Sequence, residues 1–130
     1  KYDRTKMSVV NNGGKKAVTH YKIIKKFQNF ASLIECQLET GRTHQIRAHF
    51  SHIGHSLIGD QKYGHNNRKS KKISPQFQIA LQNFKRQALH SKKIGFIHPS
   101  TKKYLEFEID LPNDIKDLIT ILENFSKEQI

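Results

Sequence analysis

The hydrophobic pattern of the sequence changes its period at Gly41. Before Gly41, in residues 17–24 and 32–38, apolar and polar side chains alternate, which is the period of a β-strand. After Gly41, apolar residues recur at spacings of four and three, which is the period of a helix. These residues are Ile46, Phe50 and Ile53. Strands followed by helices in one short chain predict an α+β fold.

The first strands are expected to form an antiparallel hairpin. Residues 7–10 and the strand at 17–24 flank Asn and Gly residues at 11–14, which tolerate the positive φ angles of a tight turn. In the strand at 32–38, one alternating row is expected to be buried. This row contains Ile34, Cys36 and Leu38.

The rest of the chain is predicted to contain three helices and two strands. The short helix is expected to begin near Thr43 and to end at Gly54, with Arg47 off its apolar stripe. Later elements are a helix at 76–84, strands at 88–97 and 104–109, and a last helix that opens at 112–114. The inward face of that last helix is predicted to contain Ile115, Leu118, Ile119, Leu122 and Phe125.

Length and composition exclude several classes of protein. The 130 residues suit one domain, which buries roughly two thirds of the unfolded surface. No run approaches the roughly 20 apolar residues that span a bilayer, so neither a membrane partner nor a membrane location is expected. The single Cys36 excludes an internal disulfide and a CxxC metal site. The sequence therefore predicts a cytoplasmic protein; because it starts with Lys rather than Met, it is expected to be a processed product or a fragment.

Charge is unevenly distributed along the chain. The net charge is +12; residues 61–103 contain eleven basic residues and no acid, whereas residues 104–130 contain two basic and seven acidic residues. Such asymmetry indicates an anionic partner on one side of the molecule, with RNA or DNA as the first candidate. A lysine-rich, solvated surface without a partner is the alternative.

Common catalytic and metal-binding patterns are missing from the sequence. Four histidines crowd a short segment at positions 44, 49, 52 and 55, but no HExxH pair, cysteine or nearby carboxylate completes a metal-binding set. No GxSxG elbow or phosphate-binding Gly-rich loop occurs. Glu106 and Glu108 fit one solvated face of a strand better than an acid–base pair.

Residues 40–49 are the strongest candidate for a functional site. They read Thr-Gly-Arg-Thr-His-Gln-Ile-Arg-Ala-His and place two Arg, two His, two Thr and one Gln at a strand-to-helix turn. Free backbone N–H groups and guanidinium forks at such a turn bind anions. Composition alone leaves open an ordinary helix start with solvated basic residues.

This segment and its flanks resemble the signature of RluA-type pseudouridine synthases. The resemblance continues through residues 51–64, which end in Gly-Asp-Gln-Lys-Tyr-Gly. Further segments with family-like order and spacing are residues 6–10, 17–21, 87–91, 96–99, 105–107 and 111–112. Nearly the whole chain is covered. The resemblance implies part of a mixed, mainly antiparallel β-sheet core with flanking helices.

The resemblance also implies an activity and catalytic roles. Enzymes of this family isomerise uridine within RNA, and ribosomal large-subunit RNA is the expected substrate. Tyr21 matches a tyrosine that stacks on the target base, and Arg47 matches an arginine that pairs with the catalytic Asp. In the family, the catalytic Asp is the nucleophile and lies in an Arg-Leu-Asp type motif. This sequence has no equivalent motif, because Asp3 and Asp60 are flanked by other residues. Residues 1–130 are therefore expected to be the C-terminal portion of the catalytic domain, inactive without the N-terminal half.

Candidate RNA contacts follow from the family resemblance and from the positions of the basic residues. They are Arg42, Thr43, His44, Gln45, His49, Lys62, Arg68, Lys69, Lys71 and Lys72. No metal or organic cofactor is expected. The alternative to an enzyme is an RNA-binding module without catalysis, either a split half or a degenerate relative.

Overall fold

A computed structural model describes residues 5–10, 16–64 and 75–128 and confirms the α+β class. The described elements, in chain order, are the strands β1 (Thr5–Val10), β2 (Lys16–Phe27) and β3 (Ala31–Leu38), the helices α1 (Gln45–His52) and α2 (Pro75–Asn83), the strands β4 (Lys93–Ile97) and β5 (Tyr104–Glu108), and the helix α3 (Asn113–Glu128).

The first three strands form an antiparallel sheet in the order β1-β2-β3. Central β2 pairs Tyr21 with Thr5 on one side and with Cys36 on the other. These pairings confirm the predicted hairpin, whereas its turn at residues 11–14 lies outside the described residues. The chain turns from β2 into β3 through Gln28, at φ 56°, with a hydrogen bond from Phe30 N to Phe27 O.

The strand predicted at 88–97 was too long, because only its second half pairs with β5. Residues 86 and 88 take their hydrogen bonds elsewhere. Ala88 N donates to Ile58 O at 2.8 Å, and Arg86 forms a bidentate pair with Asp114 at 2.8 and 2.9 Å. These contacts hold the segment against a loop and against α3, so it cannot continue the ladder.

The main hydrophobic core lies between α3 and the end of β2. Phe27 packs with three residues of α3, and Phe30 contacts Phe125 edge-on with ring centroids 4.8 Å apart. The residues of α3 that are buried are Ile115, Leu118, Leu122 and Phe125. Ile119 is half-buried, so the predicted inward face of the last helix is confirmed.

Two predicted buried rows are only partly correct. Leu38 is 44% exposed at the end of β3, and Ile53 is 43% exposed after α1. Helix α1 instead buries Gln45, His49 and Phe50. The helix is rotated from its apolar stripe because its polar side chains bond to β2. Among the described residues, no helix is long and apolar enough to cross a membrane.

Candidate active site

Helix α1 is attached to β2 by a buried hydrogen-bond network centred on Gln45. The Gln45 amide donates to Val18 O and to Thr19 Oγ1, each at 2.9 Å. Its carbonyl oxygen accepts from Thr40 Oγ1 at 2.7 Å and from Arg42 N at 3.0 Å. The amide therefore satisfies backbone groups of both the strand and the turn, which fixes where the helix begins.

His49 extends this network one turn later. Its Nδ1 lies 2.8 Å from Thr19 Oγ1, and both residues are buried. The lowered pKa of His49 favours the neutral ring, in which Nδ1 can accept the proton of the Thr19 hydroxyl. Burial lowers the pKa of His49, and the nearby His52 lowers it further.

The low pKa of His49 predicts that protein stability falls in mild acid. The neutral form is favoured in the folded state, so this contribution is complete above the unfolded pKa near 6.5 and is lost as pH falls through the lower folded pKa. Melting temperature should therefore drop as pH is lowered from about 7.5 to about 5. A His49→Gln variant should show a flatter pH dependence, and the matched exposed variant His55→Gln should keep the wild-type slope. Equal slopes of melting temperature against pH for all three proteins would show that His49 does not cause the loss of stability in acid.

Arg47 forms the most buried ion pair of the described residues. Its Nε donates to Asp60 Oδ2 at 2.8 Å, and its Nη2 donates to Asp60 Oδ1 at 2.9 Å. The arginine side chain is 13% exposed, and the Asp60 side chain is 0% exposed. Lys62 N and Tyr63 N also donate to Asp60 Oδ1, at 3.0 and 2.9 Å. Four donors thus compensate the buried carboxylate.

These hydrogen bonds keep both partners ionised. The hydrogen bond from Arg47 lowers the pKa of Asp60 from its ordinary 3.8 to about 2, against the opposing effect of burial, and the backbone N–H groups add to the lowering. The hydrogen bond to Asp60 correspondingly raises the pKa of Arg47. Arg47 is therefore a permanently ionised residue of helix α1, paired with an equally ionised Asp60.

The Arg47 guanidinium lies over the Tyr63 ring. The Arg47 Cζ lies 5.2 Å from the Tyr63 ring centroid, and Lys62 Nζ lies 5.4 Å from the same centroid. His44 contacts the ring edge-on at 5.8 Å. This basic and aromatic group is called the Tyr63 cluster below; its members are His44, Arg47, Lys62 and Tyr63.

His44 occupies a conformation that few residues adopt. Its φ of 52° and ψ of 29° place it in the left-handed region immediately before α1. Such backbone strain is found preferentially at functional sites. The turn presents the exposed imidazole beside Tyr63, where it can donate to an anion.

Tyr21 lies on the same pair of elements as Arg47. It is half-buried on β2, and its ring packs edge-on against Phe50 of α1 with centroids 5.4 Å apart. Phe50 follows Arg47 by about one helical turn. Both predicted catalytic residues therefore belong to the β2–α1 unit, while their chemical roles stay predictions.

The structure separates the predicted RNA contacts into three groups. Arg42, Thr43, His44 and Lys62 are exposed. Gln45 and His49 instead face the interior, 5% and 4% exposed, and their side chains are bonded to β2. Their contribution in this structure is to hold α1 in place, because a buried side chain cannot reach a phosphate. The predicted contacts Arg68, Lys69, Lys71 and Lys72 lie outside the described residues.

Sequence reasoning did not identify the role of Asp60. A partial signal was present, since Asp followed by Lys and Tyr can accept the backbone N–H groups two and three residues later. Thr19 and Thr40 were also missed, because nothing in a strand pattern marks a threonine as buried. Within the described ranges, no three His, Cys, Asp or Glu side chains converge as metal ligands would.

Comparisons with known proteins agree with the resemblance seen in the sequence. A family model described as RNA pseudouridylate synthase matches residues 1–52. The chain is 50% identical over 121 residues to ribosomal large subunit pseudouridine synthase D of Zymomonas mobilis, covering 92% of this chain and 36% of the relative. Over 92% of its length, the chain is therefore similar to pseudouridine synthases of the RluA type.

Two other relatives show the same similarity. The Haemophilus influenzae ribosomal large subunit pseudouridine synthase D is 47% identical over 120 residues, covering 92% of this chain and 36% of the relative. An uncharacterized RNA pseudouridine synthase of Bacillus subtilis, YlyB, is 48% identical over 127 residues, covering 98% of this chain and 36% of that protein. The chain thus spans about a third of the length of these relatives.

Proposed function

We propose that this chain is the C-terminal part of an enzyme that converts uridine to pseudouridine in large-subunit ribosomal RNA. The observation that carries the proposal is 50% identity, over 92% of the chain, to a protein named ribosomal large subunit pseudouridine synthase D. The reaction breaks the bond between ribose C1′ and uracil N1 and forms a bond from C1′ to C5. The proton on C5 is lost, and N1 gains a proton.

Arg47 is assigned the task of holding the catalytic carboxylate ionised. The family resemblance supplies that carboxylate from a segment outside this chain, and the Arg47 guanidinium on α1 stays ionised in its pair with Asp60. A fixed, forked donor suits a carboxylate that must remain an anion until it attacks or removes a proton. Tyr21, held against Phe50, is assigned to stack on the uracil.

The exposed residues of the Tyr63 cluster are assigned to the RNA backbone. His44 and Lys62 both lie close to the Tyr63 ring, and Arg42 lies in the turn before α1. Contacts of this type position the RNA without reading its sequence. The target uridine has to leave its stack to reach Tyr21.

The test of this function is tritium release from ribosomal RNA labelled at uridine C5. It compares this chain with the extended protein, meaning this chain together with the sequence encoded before Lys1. Release by the extended protein alone would support the proposal. Bound RNA without release from either protein would overturn it in favour of a non-catalytic RNA-binding module. Release from labelled transfer RNA but not from ribosomal RNA would overturn the assigned substrate.

Affinity for RNA is expected to fall steeply as salt rises. Between about 50 and 200 mM salt, displaced counterions weaken any complex held by several phosphate contacts. A Lys62→Gln variant should reduce the slope of log affinity against log salt by about one. The matched control is Lys116→Gln, at an exposed lysine of α3 that pairs with Asp110. A flat salt dependence, or equal slopes for both variants, would contradict the proposed surface.

A further inference from the structure

Asp60 is a buried charged group to which the proposed reaction gives no task. Its side chain is 0% exposed, although carboxylates are rarely buried unless they are paired. Arg47 supplies two of its hydrogen bonds, and the backbone of Lys62 and Tyr63 supplies the other two. Asp60 therefore connects the turn at residues 60–63 directly to helix α1.

The turn that holds Asp60 is itself closely fixed. Gly59, just before it, has φ +78°, and a Cβ there would collide with the backbone carbonyl oxygen of Arg86. Before the turn, Ala88 N donates to Ile58 O at 2.8 Å. At the last residue of the turn, Tyr63 O accepts a hydrogen bond from Ser51 Oγ of α1 at 3.1 Å. The carboxylate thus has little freedom to follow a moving arginine.

The nucleophile's role does not suit Asp60. Its carboxylate is inaccessible to a ribose carbon, since its side chain has no exposed surface. Both oxygens accept hydrogen bonds from Arg47, and these keep the pKa of Asp60 near 2, so its lone pairs are poorly nucleophilic. Asp60 can therefore contribute to the reaction only through its contact with Arg47.

One nitrogen of Arg47, Nη1, is left to bind a second carboxylate. Asp60 takes the edge formed by Nε and Nη2, and the Tyr63 ring centroid lies 5.2 Å from Cζ. Within the residues that the structure describes, Nη1 has no hydrogen-bond acceptor. When hydrogen bonds hold one edge of a guanidinium, its remaining N–H groups point in a fixed direction.

We propose that Asp60 is a positioning residue, which holds Nε and Nη2 of Arg47 so that Nη1 meets the catalytic carboxylate. This inference rests on the proposed function, because it needs the carboxylate that the family resemblance places outside this chain. Without Asp60, the long arginine side chain samples several rotamers, and the reacting carboxylate is held in the productive position for less of the time.

The experiment is steady-state tritium release by the extended protein and by its Asp60→Asn variant. Turnover (kcat) should fall by about tenfold to a hundredfold, with little change in KM, because RNA contacts are kept. The acid limb of the kcat–pH profile should move to higher pH, since the catalytic carboxylate is held ionised less well. In an Arg47→Lys background, the same substitution should have a much smaller effect.

The matched control is Asp114→Asn, which removes the bidentate partner of exposed Arg86. This variant should keep the wild-type kcat and pH profile. A folded Asp60→Asn protein with wild-type kcat, or an effect that is fully additive with Arg47→Lys, would overturn the inference. If Asp60→Asn does not fold, the Asp60→Glu variant decides in the same assay: reduced kcat at unchanged KM supports the inference, and wild-type kcat overturns it. An inactive wild-type extended protein would instead refute the proposed function.

Discussion

Turnover by the Arg47→Lys variant of the extended protein is expected to fall about a hundredfold or more, as when a preorganised charge-stabilising donor is removed. Lysine keeps the positive charge but has a single ammonium in place of the forked guanidinium. Its three N–H groups share one nitrogen, so it cannot reproduce the edge-on pair with Asp60 and still direct a separate nitrogen at a second carboxylate. Affinity for RNA should change little, because the charge is retained. Single-turnover tritium release and filter binding measure the two quantities separately.

The matched control for this substitution is Arg86→Lys. Arg86 also forms a bidentate pair with an aspartate, Asp114, which lies at the start of α3. In contrast to Arg47, the Arg86 side chain is 45% exposed. We expect wild-type turnover for this variant, since an exposed pair contributes little and has no part in the site. Unchanged turnover for Arg47→Lys would remove Arg47 from the catalytic centre.

The Gly59→Ala variant is expected to lose about 3 kcal/mol of folding free energy. Gly59 has φ +78°, which an L-residue adopts only with strain. The added Cβ would also meet the backbone carbonyl oxygens of Arg86 and Phe84, and neither can move as a flexible side chain would. Because Asp60 is the next residue, the relaxation should displace the partner of Arg47 and lower turnover. Urea denaturation of the extended protein measures the stability change.

Gly41→Ala is the matched control for that prediction. A Cβ at Gly41 would meet no atom within 4 Å, so the substitution adds no collision. Its free energy of unfolding should stay within about 0.5 kcal/mol of the wild type, as for other surface substitutions. Equal stability of the two alanine variants would show that the segment around Gly59 is free to move.

The described strands and helices were largely predictable because their periods are local properties of the chain. The alternating pattern located β2 and β3, and apolar spacing located α3 with its buried residues, including Leu118 and Leu122. The strand expected from residue 88 failed for a non-local reason: Arg86 and Ala88 bond to α3 and to the loop at Ile58. A pattern along the chain carries no information about such partners.

The candidate site was only partly predictable. The family resemblance supplied both Tyr21 and Arg47 as predicted catalytic residues. The sequence predicts that His49 contacts RNA, whereas in the structure it is hydrogen-bonded to the buried hydroxyl of Thr19. A polar side chain at a helix start can serve either purpose, and burial by another element decides between them.

The sequence by itself determined the class of fold, the family resemblance and the concentration of basic residues, because periodicity, motif spacing and charge are properties of the chain alone. Only the tertiary structure decided which polar residues are buried and which carboxylate binds Arg47. Asp60 lies thirteen residues after Arg47 and reaches it only because Gly59 turns the chain back against α1. Hydrogen bonds between distant residues depend on that packing, so the pairing of Arg47 with Asp60 is a property of the folded molecule.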